Sequence, residues 1–206
     1  MAIKAAPTIA FLVSALGVTG FGFLAVLVAR GHTMPFDTSL RLAIHAGAGP
    51  FATACATALS FLGRLLVLIP ATAAIAIFLF RDGRRAAGLC YLAIMGGALA
   101  LNWTVKAVVQ RPRPLPFFGA EPATYSFPSG HVLFTSCFCG AAVLILFQGR
   151  RFAFLCAVVF VIAVAWSRVY LGVHYPTDVA AGFLLGVGWL GLVAGLGFLE
   201  GRRPSD

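Results

Sequence analysis

The sequence predicts an all-α polytopic membrane protein with six transmembrane helices, forming a single domain over residues 1–206. Three observations carry this expectation. Hydrophobic residues make up 61% of the chain and charged residues only 10%, where soluble domains hold about a quarter charged. The mean hydropathy is +0.98. The apolar residues also fall into runs near the ~20 residues that one helix needs to cross a bilayer core.

The runs in order are Thr8–Ala29, Phe61–Phe80, Ala86–Lys106, His131–Gln148, Phe152–Tyr170 and Val179–Leu199. The first follows Lys4 and is longer than the apolar core of a signal peptide, so a retained helix is expected. Between the first two runs, Phe36–Ala58 has a mixed pattern that predicts a short interfacial helix with Asp37 and Arg41 turned to the headgroups. Abundant Gly and Ala within the runs suits close helix packing. There is no convincing internal repeat, which weighs against a transporter built from repeated halves. Cys55, Cys90, Cys137, Cys139 and Cys156 lie in or beside apolar stretches, without a C-x-x-C pair or a Cys/His ligand spacing. They read as small buried hydrophobes.

The formal net charge is +9. A chain this apolar cannot present a long basic face to nucleic acid, so anionic headgroups and phosphate substrates are the expected partners. Arg81, Arg84, Arg85, Arg150 and Arg151, with Lys4, Arg202 and Arg203 at the ends, fall on one side of a six-span arrangement. The positive-inside rule makes that side cytoplasmic. Arg30, Arg41, Arg64 and Arg111 fall at or near the other side, so the rule is not obeyed cleanly.

Three polar clusters interrupt the runs: Lys106 to Pro114, Phe127 to His131, and Ser167 to Asp178. With six spans all three meet at the non-cytoplasmic face and form one composite site. Lys106, Arg113 and Arg168 would bring three cations together, which is tolerable only around an anion. Guanidinium groups bind phosphate oxygens in pairs, and an ammonium acts as a point charge. Ser129 and Gly130 open a helix whose first N–H groups lack internal partners, which completes a phosphate cradle. His174 and Asp178 stand four residues apart, on one face if a helix begins near Pro176. A carboxylate on one imidazole nitrogen orients the other as a nucleophile. His131 is the natural general acid for the leaving alkoxide. The pattern calls for no metal and no cofactor.

These clusters resemble the three-part signature of the type 2 phosphatidic acid phosphatase family, K-x6-R-P, P-S-G-H and S-R-x5-H-x3-D. Lys106, Arg113 and Pro114 meet the first part, Pro128 to His131 the second, and Ser167, Arg168, His174 and Asp178 the third. The resemblance covers the chain from about the second span onward, and Phe36-Asp37 and Leu59–Gly63 resemble weaker family features. It implies a helical core shared with bacterial acid phosphatases and vanadium haloperoxidases. It also implies His174 as nucleophile, Asp178 as its orienting partner and His131 as general acid. Lys106, Arg113, Ser129, Gly130 and Arg168 become phosphate ligands. Val132, where many members carry Ala, is a small departure.

The expected activity is hydrolysis of a lipid phosphate or diphosphate in the cell membrane, with the site facing the periplasm or exterior. Polyprenyl diphosphates, phosphatidic acid, phosphatidylglycerophosphate and lipid A phosphates all qualify. A lipid phosphotransferase would use the same site. A non-catalytic phosphate-lipid transporter would explain the cations but not His174 with Asp178. Taken singly, Lys106 and Arg168 are equally well read as snorkelling from helix ends. Asn102, one turn before Lys106, is read as its support or as a helix–helix hydrogen bond. His32 and His45 read as interfacial loop residues, Tyr125 and Trp166 as interfacial anchors, and Tyr170 and Tyr175 as local packing.

Overall fold

The structure is a computed structural model that describes residues 7–119 and 123–197. Lys4, Arg202, Arg203 and the end of the last expected span lie outside the described residues. Within them the chain is helical, with no strand: α1 (Pro7–Ala29), α2 (Met34–Ala46), α3 (Pro50–Leu62), α4 (Leu65–Arg81), α5 (Arg85–Val109), α6 (Gly130–Ile145), α7 (Arg151–Tyr170) and α8 (Pro176–Gly195).

Each of the six apolar runs is helical over most of its described length, the second being divided between the end of α3 and α4. Four of them, α1, α5, α7 and α8, are long and apolar enough to cross a bilayer, and a fifth crossing results if α3 and α4, bent by 47°, are taken together. The other two runs yield shorter helices. α4 has 17 residues and α6 has 16, which at ~1.5 Å per residue fall short of a ~30 Å hydrocarbon core. The run from His131 to Gln148 is cut short at Ile145, after which Gln148 and Gly149 take φ of 51° and 70° and turn the chain.

The region Phe36–Ala58 holds two helices, α2 and α3, where one was expected. Pro35 and Pro50 sit in their first turns, where a missing N–H is harmless. Asp37 does not face the headgroups. It is fully buried, because the folded chain brings a cation and a threonine against it. Arg41 is half-buried, lies 4.0 Å over the Phe117 ring and donates to the carbonyls of Leu115 and Gly172. His45 belongs to α2 rather than a loop, and its ring stacks on Phe117 at 3.7 Å.

The core lies where α6 packs against α4, α5 and α8, with Tyr91, Ile94, Ala98, Leu133, Cys137 and Leu185 buried in it. Tyr91 donates from its hydroxyl to the Phe138 carbonyl at 2.9 Å, which satisfies the one polar atom of that side chain. α1 docks on α8 through small residues. A Cβ on Gly17 would lie 2.8 Å from the backbone of Gly188, and the Ser14 hydroxyl donates to the Gly188 carbonyl at 2.9 Å. The outer faces carry exposed Leu16, Phe23, Leu66, Leu89, Val159 and Ile162, the arrangement of a chain whose solvent is lipid. All five cysteines are free. At one end of this bundle the C-termini of α5 and α7 meet the N-termini of α6 and α8, which bear the three polar clusters.

Candidate active site

α5 ends at Gln110, in the left-handed region at φ 47°, and the prolines that follow keep the chain out of a helix. This puts Lys106 in the last turn and Arg113 in the loop beyond. Ser129 is the extended residue before α6, Gly130 begins it, and His131 stands in its first turn. Arg168 lies in the last turn of α7. Pro176 sits in the first turn of α8, and Asp178 accepts the Tyr175 backbone N–H at 2.9 Å, a capping bond that fixes its carboxylate beside His174.

A cavity of about 390 Å³ gathers residues of all three clusters. Lys106, Arg113, Gly130, His131, Arg168 and His174 line it, together with Gly63, Arg64, Asn102 and Trp103. Ser129 and Asp178 stand behind this lining. The Ser129 N–H donates to the Asp178 carbonyl at 2.9 Å and ties the starts of α6 and α8 together. The Ser129 hydroxyl and His131 Nε2 are buried without a hydrogen-bond partner among the described residues. Gly130 packs closely here: a Cβ would lie 3.0 Å from Asn102 Oδ1, which would have to give way. Asn102 therefore faces the start of α6 and the cavity, and it makes no bond to Lys106. Lys106 instead donates to the Tyr125 carbonyl, and Arg168 donates to the Ser60 hydroxyl.

His174 is buried, with 1% exposure. Its Nε2 lies 3.1 Å from Arg113 Nη1, and its Nδ1 lies 3.4 Å from Asp178 Oδ2. Guanidinium only donates, so Nε2 carries the lone pair and Nδ1 carries the proton that faces the carboxylate. Burial, and then the cations Arg113 and Arg168, push the imidazole down to about 3, while the bond and charge of Asp178 pull it upward and lose. His174 is thus held neutral with its lone pair toward the cavity, as a nucleophile must be.

The sequence profile of the PAP2 superfamily matches residues 87–201, just over half of the chain. The chain belongs to the PAP2 superfamily. This PAP2 protein is 34% identical to an undecaprenyl-diphosphatase of Sulfolobus acidocaldarius over 142 residues, 66% of each chain, slightly under two thirds of that protein's length. It is 30% identical to phosphatidylglycerophosphatase B of Bacillus subtilis, over 85% of this chain and 91% of that one. Its fold matches the crystal structure of a transmembrane PAP2 phosphatidylglycerolphosphate phosphatase from Bacillus subtilis with a TM-score of 0.81 and 27% identity, covering 94% of this chain and 98% of that chain. The PAP2 chain is an integral membrane enzyme of the phosphatase class. The profile begins inside α5, whereas the structural match takes in nearly the whole chain.

Three residues of the PAP2 site were not assigned a part in it by sequence reasoning. Arg64 lines the cavity and adds a fourth cation. Arg111 and Asp37 lie behind His174, where Arg111 Nη1 is 2.7 Å from Asp178 Oδ1 and Nη2 is 2.7 Å from Asp37 Oδ2. Burial lowers the Arg111 pKa, but the two carboxylates outweigh it and hold it above its usual value. Tyr175, read as packing, stacks its ring 4.0 Å from this guanidinium. Among the described residues no three His, Cys, Asp or Glu side chains gather as metal ligands.

Proposed function

We propose that this PAP2 enzyme hydrolyses a lipid phosphate or lipid diphosphate through a phosphohistidine formed on His174. The carrying observation is the imidazole polarity, with Nδ1 toward Asp178 and Nε2 toward a cavity ringed by Lys106, Arg113, Arg168 and Arg64. Nε2 attacks phosphorus, forming a P–N bond as the bond from phosphorus to the leaving oxygen breaks. His131, protonated to the imidazolium once the phosphate anion sits among the cations, delivers a proton to that oxygen and is left neutral. The cations, the Ser129 hydroxyl and the N–H groups at the start of α6 hold charge on the equatorial oxygens. Arg113 gives up its contact with Nε2 as it turns to the phosphate. Water, deprotonated by His131, then cleaves the P–N bond, releases inorganic phosphate and restores neutral His174.

The names of the relatives support a polyprenyl diphosphate or phosphatidylglycerophosphate as substrate, and phosphatidic acid and lipid A phosphates share the same chemistry. Residues 1–206 form a single unit, and α1, α4, α5, α6, α7 and α8 make six crossings. The short helices α4 and α6 are accommodated because their ends meet polar groups of the site and the loops. The site faces the periplasm or exterior of the cell membrane, against the outer leaflet.

The test is rapid-quench phosphorylation of purified protein in detergent with a ³²P-labelled phosphatidic acid and a chelator present. Wild type is expected to accumulate an acid-labile, base-stable phosphoenzyme and to release phosphate. His174→Ala is expected to do neither, with turnover down by at least ~10³-fold, the scale of losing a nucleophile. Wild-type turnover by His174→Ala would remove the nucleophile, and dependence on added metal would remove the mechanism.

A further inference from the structure

We propose that Arg111 and Asp37 are positioning residues that fix the charge and orientation of Asp178, and through it of His174. The inference rests on the reading of His174 as the nucleophile. Both oxygens of the Asp178 carboxylate are engaged. Oδ1 accepts from Arg111 at 2.7 Å, while Oδ2 accepts from the Tyr175 N–H at 2.9 Å, from the Ser126 hydroxyl, and faces His174 Nδ1 at 3.4 Å. Arg111 reaches Asp37 with its other terminal nitrogen at 2.7 Å, and Thr177 closes the ring. Its N–H and hydroxyl donate to Asp37 at 2.9 and 2.7 Å, and its hydroxyl accepts from Arg111 at 2.9 Å. Both carboxylates are fully buried and Arg111 is 8% exposed.

An isolated Arg–carboxylate pair tends to close as a two-pronged fork. Here Asp37 holds the second prong, so Arg111 engages Asp178 through Nη1 alone and leaves Oδ2 for His174. One guanidinium shared by two carboxylates also neutralises Asp178 only in part, so that it still orients an imidazole without drawing a proton onto it. Stability alone does not call for such a buried trio, because apolar replacement of a whole buried ion pair is often neutral or better, although removal of one partner is costly. Its location against the partner of His174 is what gives it a role. Other charged or titratable groups around the pair are Lys106 from α5, Arg113 and Tyr175 from the loops, His131 from α6 and Arg168 from α7. Arg113 meets His174 from the cavity side, and Arg111 meets Asp178 from the α2 side.

The experiment follows the His174 ring by NMR of the full chain carrying ¹³Cε1-histidine, assigned against His174→Gln, alongside turnover of phosphatidic acid in mixed micelles. Wild-type His174 is expected to stay neutral from pH 8 down to 5. Arg111→Gln leaves Asp178 un-neutralised and should bring a His174 titration into that window. Asp37→Asn frees Arg111 to close on Asp178 and should leave His174 silent. Both variants should lose on the order of tenfold or more in kcat with KM little changed, the scale of losing a group that orients a reactive side chain. Arg111→Lys should silence the titration without restoring the rate. A folded Arg111→Gln protein with a silent His174 and wild-type kcat overturns the proposal, as does Asp37→Asn with wild-type kcat. Where Arg111→Gln does not fold, Asp37→Asn decides alone. If His174→Gln itself turned over normally, the nucleophile assignment would fail instead, which separates the two readings.

Discussion

At the scale of single residues, the depressed pKa of His174 has a consequence for the whole chain. An exposed imidazole in the unfolded chain titrates near 6.5, and the folded one near 3. Between these values the unfolded state binds a proton that the folded state refuses, so stability falls as pH drops through that interval and is unaffected by this group above it. The slope is about 1.4 kcal/mol per pH unit for one proton. The thermal midpoint of wild type in detergent should therefore fall between pH 6.5 and 4.5 more than that of His174→Gln. Parallel curves would show that His174 accepts a proton in place. The motif residues of this site were legible because a charge or histidine in so apolar a chain stands out. The link between Asp37 and Arg111 was not, since 74 residues separate them and counting loops sends both to the membrane surface. One signal was available: with 6 acidic residues against 15 basic ones, an acid beside an apolar run invites a search for its cation. Arg64 was hidden in the same way, by a position at the break after Gly63 that reads equally well as a snorkelling helix end.

At the scale of elements, helix identity was legible from run length, and helix ends were not. The run beginning at Phe61 straddles the break at Gly63 and Arg64, because hydropathy does not register a turn between two apolar helices. The break is also closely packed: a Cβ on Gly63 would lie 3.0 Å from Val164 and 3.3 Å from the His131 ring, so a small residue suits the turn beside the site. The contact between α1 and α8 makes a separate demand. A Cβ on Gly17 would meet Gly188 and the Leu184 carbonyl at 2.8 Å, and one on Gly191 would meet the Ala10 carbonyl at 2.8 Å. These are backbone atoms and cannot rotate away. Gly17→Leu should push α1 off α8 and destabilise the protein by about 1–3 kcal/mol, the usual scale of overpacking. Gly188 is ten residues beyond Asp178, roughly 15 Å along the helix, so the folded fraction should keep its KM. A lowered thermal midpoint with unchanged KM is the expected outcome, and an unchanged midpoint would mean that α1 is not held by this seam.

At the scale of the whole molecule, the proposed sidedness rests on where the loop charges fall. Arg84 donates to the Ile145 carbonyl at 2.7 Å, which places the α4–α5 and α6–α7 connections at the same end, opposite the site. Exposed Arg81, Arg85, Arg150 and Arg151 lie in those connections. The arginines that spoiled the rule at the other end are largely committed elsewhere. Arg111 is paired with two carboxylates, Arg41 donates to loop carbonyls, and Arg64 lines the cavity. With the charges so committed set aside, Arg84 among them, Arg30 is what remains of these against the four exposed arginines on the far side. Impermeant maleimide applied to intact cells should label Ala123→Cys, which is exposed beside the site. Asp82→Cys, exposed in the α4–α5 connection, should label only after permeabilisation, with the parent chain as background. The reverse pattern would turn the cavity toward the cytoplasm and make the substrate a lipid of the inner leaflet, leaving the chemistry at His174 untouched.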